Sequence, residues 1–424
     1  MESLMKTKAL RLYGKNDLRL EEFELPPIKD DEILARVVVD SICMSSYKAV
    51  IQGSDHKRVP DDVAENPVII GHEFCGELVE VGPKWAHKFR PGQKFAIQPA
   101  INYMGKLDSP GYSYRYIGGD ATYIIIPHEV MEMDCLLPFR GDAYFGGALA
   151  EPYSCVAGTF HAMYHTSRGS YEHRMGIKKD GRMAILAGAG PMGLAAIDHI
   201  IHADLRPSLL VVTDIDGMRL ERARSVLTPE EARKNGIRLV YMNTGGIPDP
   251  RQDLLEVSCG EGYDDVLVFA PVAAVLELGD SILAPDGCLN FFAGPSDPKF
   301  TARLNFYDVH YAGTHIVGTS GGNTDDIREV LGMMEEGLLN PSVLVTHVGG
   351  LDAARDATMN LPSLPGAKKL IYTGISMPLT AIGDFAEKGR TDPFFAKLDE
   401  LTSATNGLWN AQAEKYLLEN GKRI

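Results

Sequence analysis

Cys43, the pair His72-Glu73 and Glu151 offer a thiolate, an imidazole and carboxylates from three separate stretches of chain. Such a set can hold one zinc ion and leave a coordination position open, which is where a catalytic zinc works. A second cluster follows at Gly188-Ala189-Gly190-Pro191-Met192-Gly193, between an apolar run and an apolar helical pattern. Gly188 allows a tight turn, Gly190 lets backbone approach a pyrophosphate, and Gly193 lets helix pack on strand. Pro191 and Met192 open the helix, whose first N–H groups face the phosphates. Together the two clusters predict hydride transfer between a nicotinamide cofactor and an alcohol or ketone.

Taken singly, each residue also has a plainer reading. Cys43 could be a small buried hydrophobe, and His72 a hydrogen-bonded structural histidine. Glu151, before Pro152, could open a helix, because acids are favoured in a first turn. Asp214 ends the apolar run after the glycine turn, where a carboxylate binds adenosine ribose hydroxyls. It could instead cap a helix. A carboxylate there repels a 2′-phosphate, so NAD is favoured. Arg219, Arg222 and Arg224 keep NADP possible.

The elements that must position these residues change character along the chain. Up to about residue 130, the pattern is of strands and turns, such as Met5–Tyr13, Glu32–Asp40, Gly76–Val81, Lys94–Ile97 and Tyr123–Ile126. They predict a small antiparallel barrel. From Gly158 onward, β runs at 181–188, 208–214, 264–270, 287–292 and 314–318 alternate with helical patterns. That alternation predicts a parallel sheet covered on both faces. A strand returns at Lys369–Tyr372, and the last 50 or so residues are amphipathic and partly helical. Thr228-Pro229-Glu230-Glu231 has the form of an extra helix start.

Composition narrows the rest. At 424 residues the chain is long enough for two domains and an appendage, and 45% hydrophobic with 23% charged residues is the balance of a globular protein. No apolar run is long enough to span a bilayer, and the first residues lack a signal-peptide core. Six scattered cysteines without a Cys-x-x-Cys pair suit a reducing compartment, so the expected location is the cytoplasm. A net charge of −15 argues against nucleic acid as a partner. It also means that a phosphate-bearing substrate needs a local group of cations or N–H donors. Lys48, Arg58, Lys106 and Arg115 are the candidates, and Tyr112-Ser113-Tyr114-Arg115-Tyr116 could line a sugar pocket.

In order, Cys43-Met44-Ser45, Gly71-His72-Glu73, Gly92-Gln93-Lys94-Phe95, Gly118-Gly119, Glu151-Pro152, Gly188–Gly193, Asp214 and Gly366-Ala367-Lys368-Lys369 resemble the zinc-dependent medium-chain alcohol and polyol dehydrogenases. The likeness covers roughly residues 5–375. It implies an α/β fold, with a GroES-like β-rich catalytic domain and a doubly wound Rossmann domain inserted in it. The expected boundaries are 1–155 and 322–375 for the catalytic domain, 156–321 for the Rossmann domain, and 376–424 for a C-terminal extension. The resemblance implies Cys43, His72 and Glu151 as zinc ligands, with Glu73 exchangeable or behind them. Ser45, then Lys48, would move the proton, and Arg219 joins the glycines and Asp214 at the cofactor. Pro99–Tyr123 lacks the four cysteines that hold a second zinc in many relatives, so one catalytic ion is expected and no structural one.

Two departures concern the proton relay: Ser46 stands where relatives often have Asp, and Lys48 where they have a relay histidine. The likeness is greatest to the branch acting on sugar phosphates, such as L-sorbose 1-phosphate and D-glucitol 6-phosphate, as a homodimer or homotetramer. The competing readings are a sorbitol-type enzyme for unphosphorylated polyols, a zinc-free quinone or enone reductase, and a non-catalytic dinucleotide sensor.

Overall fold

A computed structural model describes residues 5–167 and 169–424. It divides into two compact units. The first takes the chain to Glu151 with Ile327–Gly337 and Leu344–Ile424; the second takes Pro152–Asp326 and Leu338–Val343.

The first unit is built on an eight-stranded sheet. Its order is Thr380–Ala381, Val345–Gly350, Lys368–Tyr372, Ile33–Ser41, Phe74–Val81, Lys94–Ile97 and Leu136–Pro138, with Tyr123–Ile126 also paired to Ile33–Ser41. Every pairing is antiparallel except that of Val345–Gly350 with Lys368–Tyr372. Ile33–Ser41 is the hub, and all its residues but Arg36 are buried. Its Ile, Leu and Val side chains suit a strand covered on both faces. The register shifts beside Gly76, a position that only glycine fits, since a Cβ there would lie 2.0 Å from the Arg36 carbonyl. A smaller sheet pairs Lys6–Gly14 with Asp17–Glu24 and Val68–Ile69.

Residues 376–424 belong to this first unit. Helices Pro393–Ser403 and Ala411–Asn420 bury Leu398, Ala413 and Leu417, and the buried rings of Phe385 and Trp409 meet with centroids 6.4 Å apart. Trp409 Nε1 donates to Tyr372 Oη at 2.7 Å, and Tyr372 Oη donates to Glu414 Oε1 at 2.9 Å. The Glu414 carboxylate also accepts from the backbone N–H groups of Tyr144 (2.5 Å) and Phe145 (2.9 Å). Those two residues begin helix Tyr144–Ala162, so a distant side chain satisfies donors that a helix start leaves unpaired.

The second unit is an all-parallel six-stranded sheet. Its order is Arg238–Asn243, Leu209–Asp214, Arg182–Leu186, Tyr263–Val268, Leu283–Phe291 and His315–Gly318. The order reverses direction beside Arg182–Leu186, the first strand in sequence, which makes a ligand crevice at the strands' carboxyl ends. Helix Pro229–Lys234 is present, with Thr228 Oγ1 accepting from Glu231 N at 3.1 Å, as its four-residue start predicts. Among the described residues, no helix is long and apolar enough to cross a membrane, and all six cysteines are free.

Candidate metal and cofactor sites

Two turns bring the metal candidates together inside the first unit. Cys43 precedes helix Met44–Gln52 and its carbonyl accepts the first helical bonds, from Ser46 N and Tyr47 N. Gly71, at φ +93°, turns the chain into His72 against the buried Asp40 carboxylate, where a side chain would clash. Ligand atoms of Cys43, His72 and Glu73 then lie within 4.8 Å of one another.

His72 is held from both ends. Ser46 Oγ lies 3.2 Å from Nδ1, while Tyr112 Oη and Ser45 Oγ lie 3.2 and 3.4 Å from Nε2. Burial pushes the ring's pKa down to about 4, against the opposing pull of Glu73, so it is neutral at pH 7. Neutral imidazole is the form that binds metal. Ser45 Oγ is also 2.9 Å from Cys43 Sγ. Burial first, then Glu73, push the Cys43 thiol up to about 12. A divalent cation reverses that preference, because its charge deprotonates a coordinating thiol. Sulfur, imidazole nitrogen and carboxylate oxygen are a zinc donor set, and they fit such an ion.

Glu73 has a second partner. Lys368 Nζ lies 2.5 and 2.6 Å from its two oxygens, with both side chains buried. Burial alone would raise the Glu73 pKa, but Lys368 holds it below the usual value. Glu151 sits within helix Tyr144–Ala162, buried, and outside the three-residue set. Its charge nonetheless acts on Cys43, Tyr112 and Lys368. Pro152 lies inside that helix rather than at its start, so Glu151 is not an opening residue. Lys48 is half-buried on helix Met44–Gln52, and its charge acts on His56.

Ser46, Tyr112 and Lys368 do more here than their motifs suggested. Ser46 marked a departure, yet it orients the His72 ring through Nδ1, as a supporting group behind a ligand would. Lys368 had one legible signal: a lysine inside an apolar strand needs a buried acid.

In the second unit, the glycine turn joins strand Arg182–Leu186 to helix Pro191–His202. A Cβ on Gly193 would lie 1.9 Å from the Gly188 carbonyl, whereas Gly190 faces open space. The first glycine–helix approach is therefore steric, and the second leaves room for a ligand. Pro191 and Met192 are the first helical residues. Asp214 is buried; Oδ2 accepts from Ala189 N at 3.1 Å and Oδ1 from Asp216 N at 3.0 Å. It thus ties its strand end to the glycine turn. Asp216, not Asp214, caps helix Gly217–Val226. Of the three arginines, Arg222 donates to the Val343 carbonyl and Arg224 to that of Tyr241. Arg219 is half-exposed and 3.5 Å from Asp216.

Residues 29–134 match the alcohol dehydrogenase GroES-like domain. The chain is 52% identical to the L-sorbose 1-phosphate reductase of Klebsiella pneumoniae, over 99% of this chain and 98% of that one. It belongs to the zinc-dependent medium-chain alcohol and polyol dehydrogenase family. The mannitol-1-phosphate 5-dehydrogenase of Aliivibrio fischeri is 49% identical over 98% of each chain. The fold is shared with the 2R,3R-butanediol dehydrogenase of Bacillus subtilis, at a TM-score of 0.69 and 21% identity, covering 87% of this chain and 99% of that one. As a member of this family the chain is a zinc- and nicotinamide-dependent oxidoreductase.

Proposed function

We propose that this dehydrogenase interconverts a ketose and a polyol that carry a phosphate, of the kind of L-sorbose 1-phosphate and D-glucitol 6-phosphate. The observation that carries the reading is the Cys43–His72–Glu73 donor set, in a chain about half identical to two sugar-phosphate enzymes. Cys43, His72 and Glu151 would hold one zinc ion, with Glu73 able to exchange in. When bound, the ion stabilises negative charge on the substrate oxygen, and the nicotinamide gives or takes the hydride.

The chain's own groups do the rest. Ser46 fixes the His72 ring through Nδ1, leaving Nε2 for the site. Lys368 keeps Glu73 ionised and in place. Ser45, between Cys43 Sγ and His72 Nε2, is positioned to take and pass the substrate's hydroxyl proton. Lys48, on the same helix, would continue that path outward. Gly188, Gly190, Pro191, Met192 and Gly193 cradle the pyrophosphate, and Asp214 favours NAD(H) over NADP(H), with Arg219 the residue that could admit the latter.

We assign the protein to the cytoplasm, where six free thiols stay reduced. It would act as a homodimer or homotetramer. Strand His315–Gly318 is the edge of its sheet, and nearby Phe306, Tyr307 and Tyr311 are 72%, 67% and 71% exposed. Unpaired edges and exposed aromatic groups of this kind usually find a partner.

The test is a panel of ketoses, ketose phosphates and polyols with NADH and NADPH, before and after chelation. Turnover selective for phosphorylated sugars and lost on zinc removal supports the reading. Chelator-resistant reduction of quinones or enones would replace it, and a preference for free sorbitol would move it to the unphosphorylated branch.

A further inference from the structure

We propose that Arg58, with His56 beside it, is the anchor for the substrate's phosphate group; this rests on the sugar-phosphate reading of the Cys43–His72 site. Arg58 Nε is buried without a hydrogen-bond partner, and no carboxylate among the described residues pairs with its guanidinium. A half-buried arginine with no acid is unfavourable unless an anion arrives to match it. In a chain of net charge −15, such a group is not an accident of a basic surface.

Its position follows from Tyr112. The Arg58 Cζ lies 5.4 Å from the centroid of the Tyr112 ring, and the hydroxyl of the same ring is 3.2 Å from His72 Nε2. One aromatic side chain therefore spans from the metal-facing nitrogen to the unpaired guanidinium. The Arg58 charge also acts on the His72 ring itself. His56 stacks on Tyr112, with centroids 5.7 Å apart and planes 8° from parallel.

The backbone holds this arrangement still. Arg58 N–H donates to His56 Nδ1 at 3.3 Å, and the Arg58 carbonyl accepts from Ser113 Oγ at 2.6 Å. With Nδ1 accepting, the neutral ring carries its proton on Nε2, which adds a donor without a charge. Burial first, then the charges of Arg58, Lys57 and Lys48, push His56 down to about 4, so it stays neutral.

A planar guanidinium with free N–H groups matches two oxygens of a phosphate monoester at once. The other candidates are less suited, Lys48 being the one already given to the proton path. Arg115 lies over Tyr116 and donates to Asn66, and Lys106 is exposed.

The experiment compares wild type with Arg58→Gln and Arg58→Lys on L-sorbose 1-phosphate and on L-sorbose. Arg58→Gln is expected to lower the ratio of the two kcat/KM values by about 30- to 100-fold, mostly through KM for the phosphorylated sugar. Arg58→Lys should restore part of it. Inorganic phosphate should inhibit wild type competitively and lose potency in Arg58→Gln. A hexonate, which offers carboxylate instead, should inhibit less than the phosphate ester.

An unchanged ratio with unchanged phosphate inhibition overturns the anchor, and stronger inhibition by the hexonate reassigns it to carboxylate. If Arg58→Gln melts early, Arg58→Lys and His56→Gln carry the same ratio test. Calorimetric titration with D-glucitol 6-phosphate separates the two claims. Binding lost in Arg58→Gln upholds the anchor even if wild type turns over neither sugar, which would sink only the reaction.

Discussion

Lys368 Nζ meets both oxygens of Glu73, at 2.5 and 2.6 Å, across 295 residues of sequence. Both groups are buried, so neither can turn to water when the other is removed. Lys368→Met should destabilise the protein by about 3–5 kcal/mol, because it strands a buried carboxylate. The double variant Lys368→Met/Glu73→Gln should recover part of that loss. Denaturant unfolding of the three proteins checks it, and a double variant no better than the single one would refute the pairing as the cause.

The proposed ligand set makes a separate prediction. Cys43→Ser, His72→Asn and Glu151→Gln should each purify with zinc well below one ion per chain. Glu73→Gln should keep its zinc if Glu73 is the exchangeable carboxylate. Metal analysis of the four proteins decides between Glu73 and Glu151 as the third ligand.

Gly193 allows the helix after the glycine turn to approach the Gly188 carbonyl, and a Cβ there would be 1.9 Å from it. Overpacking of this kind costs about 1–3 kcal/mol. Gly193→Ala should therefore weaken NAD(H) binding and lower the melting temperature together. Gly190→Ala faces open space and should disturb only the cofactor. Fluorescence titration with NADH, beside a melting curve, tests the contrast.

Asp214 is committed to Ala189 N and Asp216 N, and Arg219 stands exposed on the helix that follows, 3.5 Å from Asp216. Asp214→Ala should raise KM for NAD(H) and shift the NADP(H)/NAD(H) preference upward. Steady-state kinetics with both cofactors would contradict this if the preference stayed fixed.

Glu414 gives a pH signature. Burial pushes its carboxyl up from 4.5 to about 7, against the N–H donors of Phe145 and Tyr144. The folded protein therefore holds the proton more tightly than the unfolded chain does. Its contribution is fully present below about 4.5 and is lost as pH rises through about 7. Unfolding free energy of wild type relative to Glu414→Gln should fall across that window and then level. A flat difference would refute the shift.

Cys43 and the His72-Glu73 pair could be read from residue types, because each sits in a short motif where the chain turns. Gly71 before His72 and the three spaced glycines are local signals with local causes. Thr228-Pro229-Glu230-Glu231 likewise begins a helix whose cap lies within four residues. What could not be read depends on distant pairing. Pro152 suggests a helix boundary, yet helix Tyr144–Ala162 starts eight residues earlier, where Glu414 satisfies its first N–H groups. Lys368 looks like one of two adjacent lysines, and only the folded chain shows that its ammonium meets Glu73. Tyr112 lies among four polar or aromatic neighbours, and nothing in that run singles it out to reach His72.

The split of the first unit sets an order of assembly. Residues 152–326 leave the ribosome before Lys368 and Glu414 exist, and domains made during synthesis tend to fold as units. A nascent chain can complete its dinucleotide sheet while Glu73 still lacks its cation and residue 144 still lacks its cap. The supports of the candidate metal site are thus completed late in biogenesis, and chains stalled before residue 368 should emerge able to grip NADH while Glu73 stays without its buried cation.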